Sequence, residues 1–371
     1  MSGAVLFESY HVRGMIVIAD DITGAAEIAG MVHSHGQQVQ LVCGGPVCCG
    51  TATANGTMVI ATDTRSMTEE EAVEETRRLV SMLTPLPARL YKKTDSALRG
   101  HVVAELCALM QATGYRRAVY LPANPSKGRI IRRGIYYIDG VPIHETDFRF
   151  DPEYPAFTSS LRERFPDAEE KGIIMPVAET EDDLRRIVSQ YDDGKTLFAG
   201  AADLLSLLLP PSKGTEEPFP SEGDRERILL ICGSTQSREL HHGIAVAPMP
   251  IELYDGGHDI SLWNTSTYTT TGSIALTIPH HHRTGKTVAM HLRSVTAEKA
   301  KVLVALHRPD HLIIEGGATA WSVLQALNWT HFTVVRQYAP GVVQLLSDSG
   351  TFVTLKPGSY PWGELFQVKS E

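Results

Sequence analysis

Short apolar runs rich in β-branched residues alternate with amphipathic stretches along most of this chain, and that alternation limits what it can fold into. Residues 14–19, 38–43, 57–62, 89–92 and 117–121 read as strands, and 23–35, 69–83 and 99–113 as helices. Thr68 and Glu71 have the spacing of a capping box before the second helix, and Gly114 is placed to stop the third. Strands alternating with helices predict a parallel sheet covered on both faces. Residues 122–155 read mostly as loop, with Asp139-Gly140 predicting the tight turn of a hairpin between 135–138 and 141–143. A helix near 181–191, a strand at 196–199 and a helix at 201–208 complete this half.

The stretch LPPSKGTEEPFPSEGDRER, from Leu209 to Arg227, interrupts the pattern with prolines, glycines and charges and predicts a linker at 210–226. The pattern then resumes with a strand at 228–232, a helix after Ser234 and an apolar segment at 287–292. A helix at 297–307, a strand at 311–315, a helix from Thr319 and a strand at 332–335 follow. A chain of 371 residues exceeds one ordinary core. The expected architecture is therefore two α/β domains with mostly parallel sheets, 1–209 and 227–371, with the active site in the cleft between them.

A net charge of -9 argues against nucleic acid and anionic membrane as partners, and no apolar run is long enough to span a bilayer. Glu8, His11 and Arg13 interrupt the N-terminus too early for a secretory signal. Five cysteines, an odd number, suit reduced thiols and a cytoplasmic location. Cys43, Cys48 and Cys49 lack the paired spacing of zinc sites, and the run His280–His282 with His241 and His242 reads as a solvated loop. No G-x-S-x-G elbow and no P-loop occur.

In open parallel sheets ligands bind where strands end at their carboxyl edge, so polar residues there are informative. Four successive strand ends carry them: Asp20, Asp21 and Thr23; Asp63 and Arg65; Lys92, Lys93, Asp95, Ser96 and Arg99; then Asn124, Lys127, Gly128 and Arg129. Arginines suit a carboxylate, and aspartates suit sugar hydroxyls or removal of a hydroxyl proton, so the set fits a small polyhydroxylated anion. Carboxylates at a helix N-terminus are expected to stay ionised. In the second half CGSTQS and EGGATA set glycines after strands, a pattern suited to phosphate.

Together IADDITGA, KKTDSALRG, PANPSKGR with GIYYIDGVPIHETDFRFDP, CGSTQS, and EGGATA with YAPGV resemble the four-carbon acid sugar kinase family. The resemblance implies an N-terminal domain that binds a sugar acid, a C-terminal domain that binds ATP, and phosphorylation of the terminal hydroxyl of a tetronate with Mg²⁺. By motif, Asp20, Asp21, Arg65, Lys93, Asp95 and Arg99 would face the acid, with Thr23, Asp63, Ser96, Asn124 and Arg129 around them. Ser234, Gly316, Gly317, Thr319 and Gly358 would cradle ATP. Arg99 and Lys93 would hold the carboxylate or the moving phosphate, and either Asp21 or Asp95 would accept the hydroxyl proton. The family's usual acid at the third position of GGDTA or GGETS is Ala318 here, and the late glycine-rich segment ends in Pro361. The alternative is a homologue that binds the acid sugar without using ATP. Assembly is left open, a homodimer being one option.

Overall fold

The computed structural model describes residues 14–45, 47, 56–83, 89–151, 153–209, 227–233, 244–254, 256–279, 285–358 and 360–366. Its first half runs β1 (Met15–Ala19), α1 (Ile22–Ser34), β2 (Val39–Cys43), β3 (Thr57–Ala61), α2 (Glu69–Leu83) and β4 (Arg89–Lys93). It continues through α3 (Val102–Thr113), β5 (Arg117–Leu121), β6 (Arg129–Arg132), β7 (Ile135–Ile138) and β8 (Val141–Pro142). After these come α4 (Leu161–Arg164), β9 (Ile173–Ile174), α5 (Glu181–Tyr191), β10 (Thr196–Gly200) and α6 (Ala202–Ser206).

Local chemistry sets the element ends. The Thr68 amide donates to Glu71 at 2.9 Å and the Glu71 amide to Thr68 Oγ1 at 3.3 Å, closing the capping box. Gly114 ends α3 in the left-handed region. Asp139 and Gly140 both take positive φ in the β7–β8 turn, as a two-residue hairpin of this hand requires. β6 pairs with β7, so residues 129–132, read as loop, add a third strand to the expected hairpin and make a small antiparallel sheet.

The second half supplies β11 (Ile228–Cys232), β12 (Ala245–Pro248), α7 (Thr267–Thr271), β13 (Ser273–Thr277), α8 (Lys286–His307) and β14 (His311–Glu315). α9 (Gly317–Leu327), β15 (His331–Ala339), β16 (Val342–Ser347) and β17 (Phe352–Lys356) complete it. The apolar segment at 287–292 lies inside α8, because a run that short has no period to separate strand from helix. The linker expected at 210–226 and the helix expected after Ser234 lie outside the described residues.

Among the described residues fourteen strands form one sheet in the order β12-β13-β11-β14-β17-β16-β15-β2-β3-β1-β4-β10-β5-β9. Most pairs are parallel; β17-β16, β16-β15 and β15-β2 are antiparallel. The β15–β2 ladder, His331 to Val42 through Thr333 to Gln40, joins the strands of the two halves. Helix α1 folds back against this region through its small residues. A Cβ on Gly30 would lie 2.6 Å from Val343 Cγ2 and 2.7 Å from Gln337 Oε1, so only glycine fits without displacing them. Core strands such as β1 and β10 are buried at every position, as a sheet covered on both faces demands.

Candidate active site

Strand order reverses beside β1, which lies between β3 and β4, and the polar set lies at the carboxyl ends of these three strands and of β5. Arg65, carried on a short turn after β3, sits among the carboxylates. Its Nε and Nη2 each donate to Asp20 at 2.9 Å. Nη2 also lies 3.0 Å from Asp21 Oδ1, and Nη1 lies 3.5 Å from Asp95 Oδ1. The Tyr154 hydroxyl donates to the Arg65 carbonyl at 2.7 Å and steadies this turn. Asp21 caps α1 by accepting from the Gly24 amide at 2.9 Å, and Thr23 donates its hydroxyl to the other Asp21 oxygen. Asp95 accepts from the Ala97 amide at 2.8 Å, and Arg99 grips it through Nε and Nη2 at 2.9 and 3.0 Å. Arg99 Nη1 reaches Asp151 at 3.4 Å. Both arginines are therefore bound by carboxylates of the protein itself.

The remaining strand-end residues divide by face. Lys93 donates to the Thr94 carbonyl at 2.9 Å and lies 3.7 Å from Glu27, which Lys127 also contacts. Lys92, its neighbour, points the other way: it is 0% exposed and pairs with Glu105, which also accepts from Thr64 Oγ1 at 2.7 Å. Lys92 thus belongs to the core and corrects the grouping made from sequence; alternation along a strand is the reason. Asn124 uses its Oδ1 to accept from the Asp203 amide at 2.9 Å, beside the start of α6. Ser96 Oγ accepts from Arg129 Nη1 at 2.7 Å. Asp63 adopts the left-handed region, φ 55°, and accepts from Ser66 Oγ at 3.0 Å.

A second reversal falls beside β11 and β14. Cys232, Glu315 and Lys356 end three neighbouring parallel strands in register. The Gly233 amide donates to the Glu315 carbonyl at 3.0 Å, and the Gly316 amide to that of Lys356 at 2.8 Å. Helix α9 starts at Gly317 with no side-chain cap, leaving its first amides available to an anion. A Cβ on Gly233 would lie 2.0 Å from Thr319 Oγ1, so glycine is required for this close turn. Lys356 Nζ donates to Glu315 Oε1 at 2.6 Å and to the Pro357 and Gly358 carbonyls at 3.0 and 3.2 Å. Glu315 Oε2 is buried with no partner. Ser234 lies outside the described residues.

The two constellations meet. A Cβ on Gly317 would lie 2.7 Å from Thr23 Cγ2, so the first residue of α9 abuts the threonine that bonds Asp21. Lys127 Nζ, on the first-half side, lies 5.3 Å from the centre of the Tyr360 ring. Among the described residues no three His, Cys, Asp or Glu side chains are grouped to hold a metal ion. The uncapped α9 terminus fits phosphate, and the unpartnered Glu315 oxygen is a carboxylate beside it.

Residues 15–171 match a family described as a sugar-binding N-terminal domain. The chain is 29% identical over 252 residues to the D-threonate kinase of Salmonella typhimurium, covering 59% of this chain and 57% of that one. It therefore spans little more than half the length of that relative. It is 22% identical over 405 residues to the 3-oxo-tetronate kinase of Haemophilus influenzae, covering 95% and 98% of the two chains. The domain match and these kinase-named relatives bear out the resemblance to the four-carbon acid sugar kinases. A solved Haemophilus influenzae protein from a family of unknown function shares the fold, with a TM-score of 0.71 at 21% identity over 95% of this chain and 98% of that one.

Within this site the clustered carboxylates differ in their affinity for protons. Burial pushes Asp20 above the ordinary carboxylate range, with Arg65 only partly offsetting it. Burial opposes ionisation of Asp21 as well, but Arg65, Lys93 and the Thr23 hydroxyl outweigh it and hold Asp21 below that range. The same contest in Asp95 is decided by Arg65 and Arg99, which hold it far below. The expectation of ionised strand-end acids fits Asp21 and Asp95; Asp20 departs from it because its burial outweighs the pull of Arg65.

Burial lifts Asp63 to about 6. A carboxyl whose folded pKa exceeds its unfolded value stabilises the fold at low pH, and that contribution is lost as pH rises through about 6. Asp63→Asn keeps a residue that tolerates positive φ. It is expected to raise stability at pH 7.5 by about 1–2 kcal/mol relative to the parent, allowing for solvent screening, with the difference vanishing near pH 4. Melting curves over that range check it; a difference independent of pH would refute the assignment.

Glu27, Asp151, Tyr154, Glu315 and Lys356 join these constellations although the motif reading gave them no role. Glu27 could have been noticed as the one carboxylate in the small-residue helix ITGAAEIAGMVHS, and Glu315 as the acid directly before two glycines.

Proposed function

We propose that this chain uses ATP to phosphorylate the terminal hydroxyl of a four-carbon sugar acid. The observation that carries the reading is the contact of Gly317 with Thr23, which brings an uncapped helix N-terminus next to Asp21. The threonate and 3-oxo-tetronate kinases among its relatives support the substrate class. In this reading residues 1–209 bind the acid and 227–371 the nucleotide. ATP supplies the phosphoryl group and Mg²⁺ the neutralising charge when bound.

The protein's own part is alignment and electrostatics, because phosphoryl transfer asks little covalent chemistry of its catalyst. The α9 amides, opened by Gly316 and Gly317, receive phosphate oxygens. Asp21 is the first-half carboxylate linked to that terminus through Thr23, so it takes the hydroxyl proton or orients the hydroxyl. Asp95 accepts from two amides and Arg99 and pairs with Arg65, which leaves it the work of fixing both arginines. Lys93, beside Asp21 and Glu27, adds positive charge next to the reacting centre.

Incubation with ATP, Mg²⁺ and a panel of threonates, erythronates and 3-oxo-tetronates is expected to release ADP with at least one of them. Folded protein that turns over none of them overturns the reading in favour of a homologue that only binds the acid. Gly317→Ala tests the contact itself. Its methyl would displace Thr23, and a misplacement of this size is expected to lower kcat about 100-fold while each ligand's affinity changes less than about threefold. Unchanged kcat would show that the contact does not set the alignment.

A further inference from the structure

We infer that Arg129 receives the carboxylate of the sugar acid, an assignment that rests on the kinase reading above. The argument comes from the cations around the N-terminal strand ends. Arg65 is held by Asp20, Asp21 and Asp95, and Arg99 by Asp95 and Asp151. Lys93 and Lys127 share Glu27. Arg129 differs from all four: among the described residues it has no carboxylate within ion-pair distance, and its Nε is buried with no hydrogen-bond partner.

The geometry of the guanidinium sharpens this. Arg129 Nη1 is committed to Ser96 Oγ at 2.7 Å, which leaves the edge formed by Nε and Nη2. Arg65 holds Asp20 by that same edge, and Arg99 holds Asp95 by it. Two parallel N–H groups on this edge match the two oxygens of a carboxylate. A guanidinium with an unmet buried donor is an unfavourable state that such a ligand relieves.

Arg129 is also held in place for the task. Its amide and carbonyl both bond Asn124, at 3.2 and 2.8 Å, and it opens β6 of the small sheet. Ser96, its side-chain anchor, follows Asp95 directly, and the Tyr136 hydroxyl fixes the Ser96 carbonyl at 2.7 Å. The acid's carboxylate would then sit on the Ser96 side of the cluster, with its hydroxyls running toward Asp20 and Asp21. Arg99 becomes a positioning residue for Asp95, where the motif reading had it hold, with Lys93, the carboxylate or the moving phosphate.

The test compares tetronates with their neutral amides, by calorimetry and by ADP release. The parent is expected to prefer its best tetronate over the matching amide by about 30-fold, the scale of one charge-assisted bidentate pair. Arg129→Gln should reduce that ratio to within about threefold by weakening the acid alone, and Arg129→Lys should fall between. Ser96→Ala, which loosens Arg129 without removing its charge, gives an independent reading should Arg129→Gln not fold: the acid weakens severalfold and the amide does not. Acid preference retained in Arg129→Gln, or acid and amide weakened alike by either substitution, overturns the inference and leaves the kinase reading intact. Absence of both tetronate binding and turnover in the parent overturns both.

Discussion

Replacing Arg65 by alanine is expected to destabilise the fold by about 3–5 kcal/mol at pH 7 and to abolish tetronate binding. The substitution leaves Asp20, Asp21 and Asp95 facing one another without the guanidinium that all three share. The residue is 15% exposed at its side chain and Asp20 only 2%, so water cannot replace what is lost. The effect should depend on pH with a defined sign. Asp21 and Asp95 are held below the ordinary range in the parent, so their contribution is present at neutral pH and is lost as pH falls through their folded values. In the variant the three acids take up protons at higher pH and relieve their repulsion. Denaturant titrations should therefore show a gap between parent and variant that narrows from pH 7 toward pH 4.5. A gap that does not change with pH would assign the loss to packing.

Lys92→Met should be as damaging, at about 3–5 kcal/mol, because it strands the Glu105 carboxylate in the core. The informative comparison is the double variant Lys92→Met/Glu105→Leu, which removes both charges. It is expected to recover most of the loss, since apolar replacement of a buried pair is commonly near neutral. Thr64 would lose its bond to Glu105 but keeps one to Thr62 Oγ1 at 3.0 Å. Urea midpoints for the parent, both single variants and the double variant give the coupling directly. A double variant no better than Lys92→Met would mean that position 92 needs its shape and not its charge.

The sequence was most readable where one interaction within a few residues decides the outcome. The capping box at Thr68, the stop at Gly114 and the turn at Asp139-Gly140 each follow from side-chain or backbone chemistry inside one turn. The parallel α/β class follows from the alternation of periods. Pairings across the chain were not readable. β16 and β17 sit in a stretch with no helix to mark their ends, and the β15–β2 ladder links residues nearly three hundred positions apart. Within the candidate site, the motifs brought together Asp20, Asp21, Arg65, Asp95 and Arg99, because all lie at the ends of adjacent strands. What they hid was who pairs with whom. Lys92 and Lys93 look equivalent as letters and point to opposite faces, and Arg99 looks available until Asp95 and Asp151 are seen to hold it.

The ladder between β2 and β15 has a mechanical consequence. A kinase built from two lobes on a flexible joint can exclude water by swinging them together, and the joint then carries little load. Here three consecutive residue pairs of backbone hydrogen bonds run across the join. A swing about that line would shear the sheet, so its stiffness opposes the rigid-body rotation that hinged enzymes use. Substrate-driven movement is left to twist of the continuous sheet and to the turns beyond the strand ends. Strain at either of the two proposed sites would then be felt across the sheet by the other, and the halves should melt together and not one after the other.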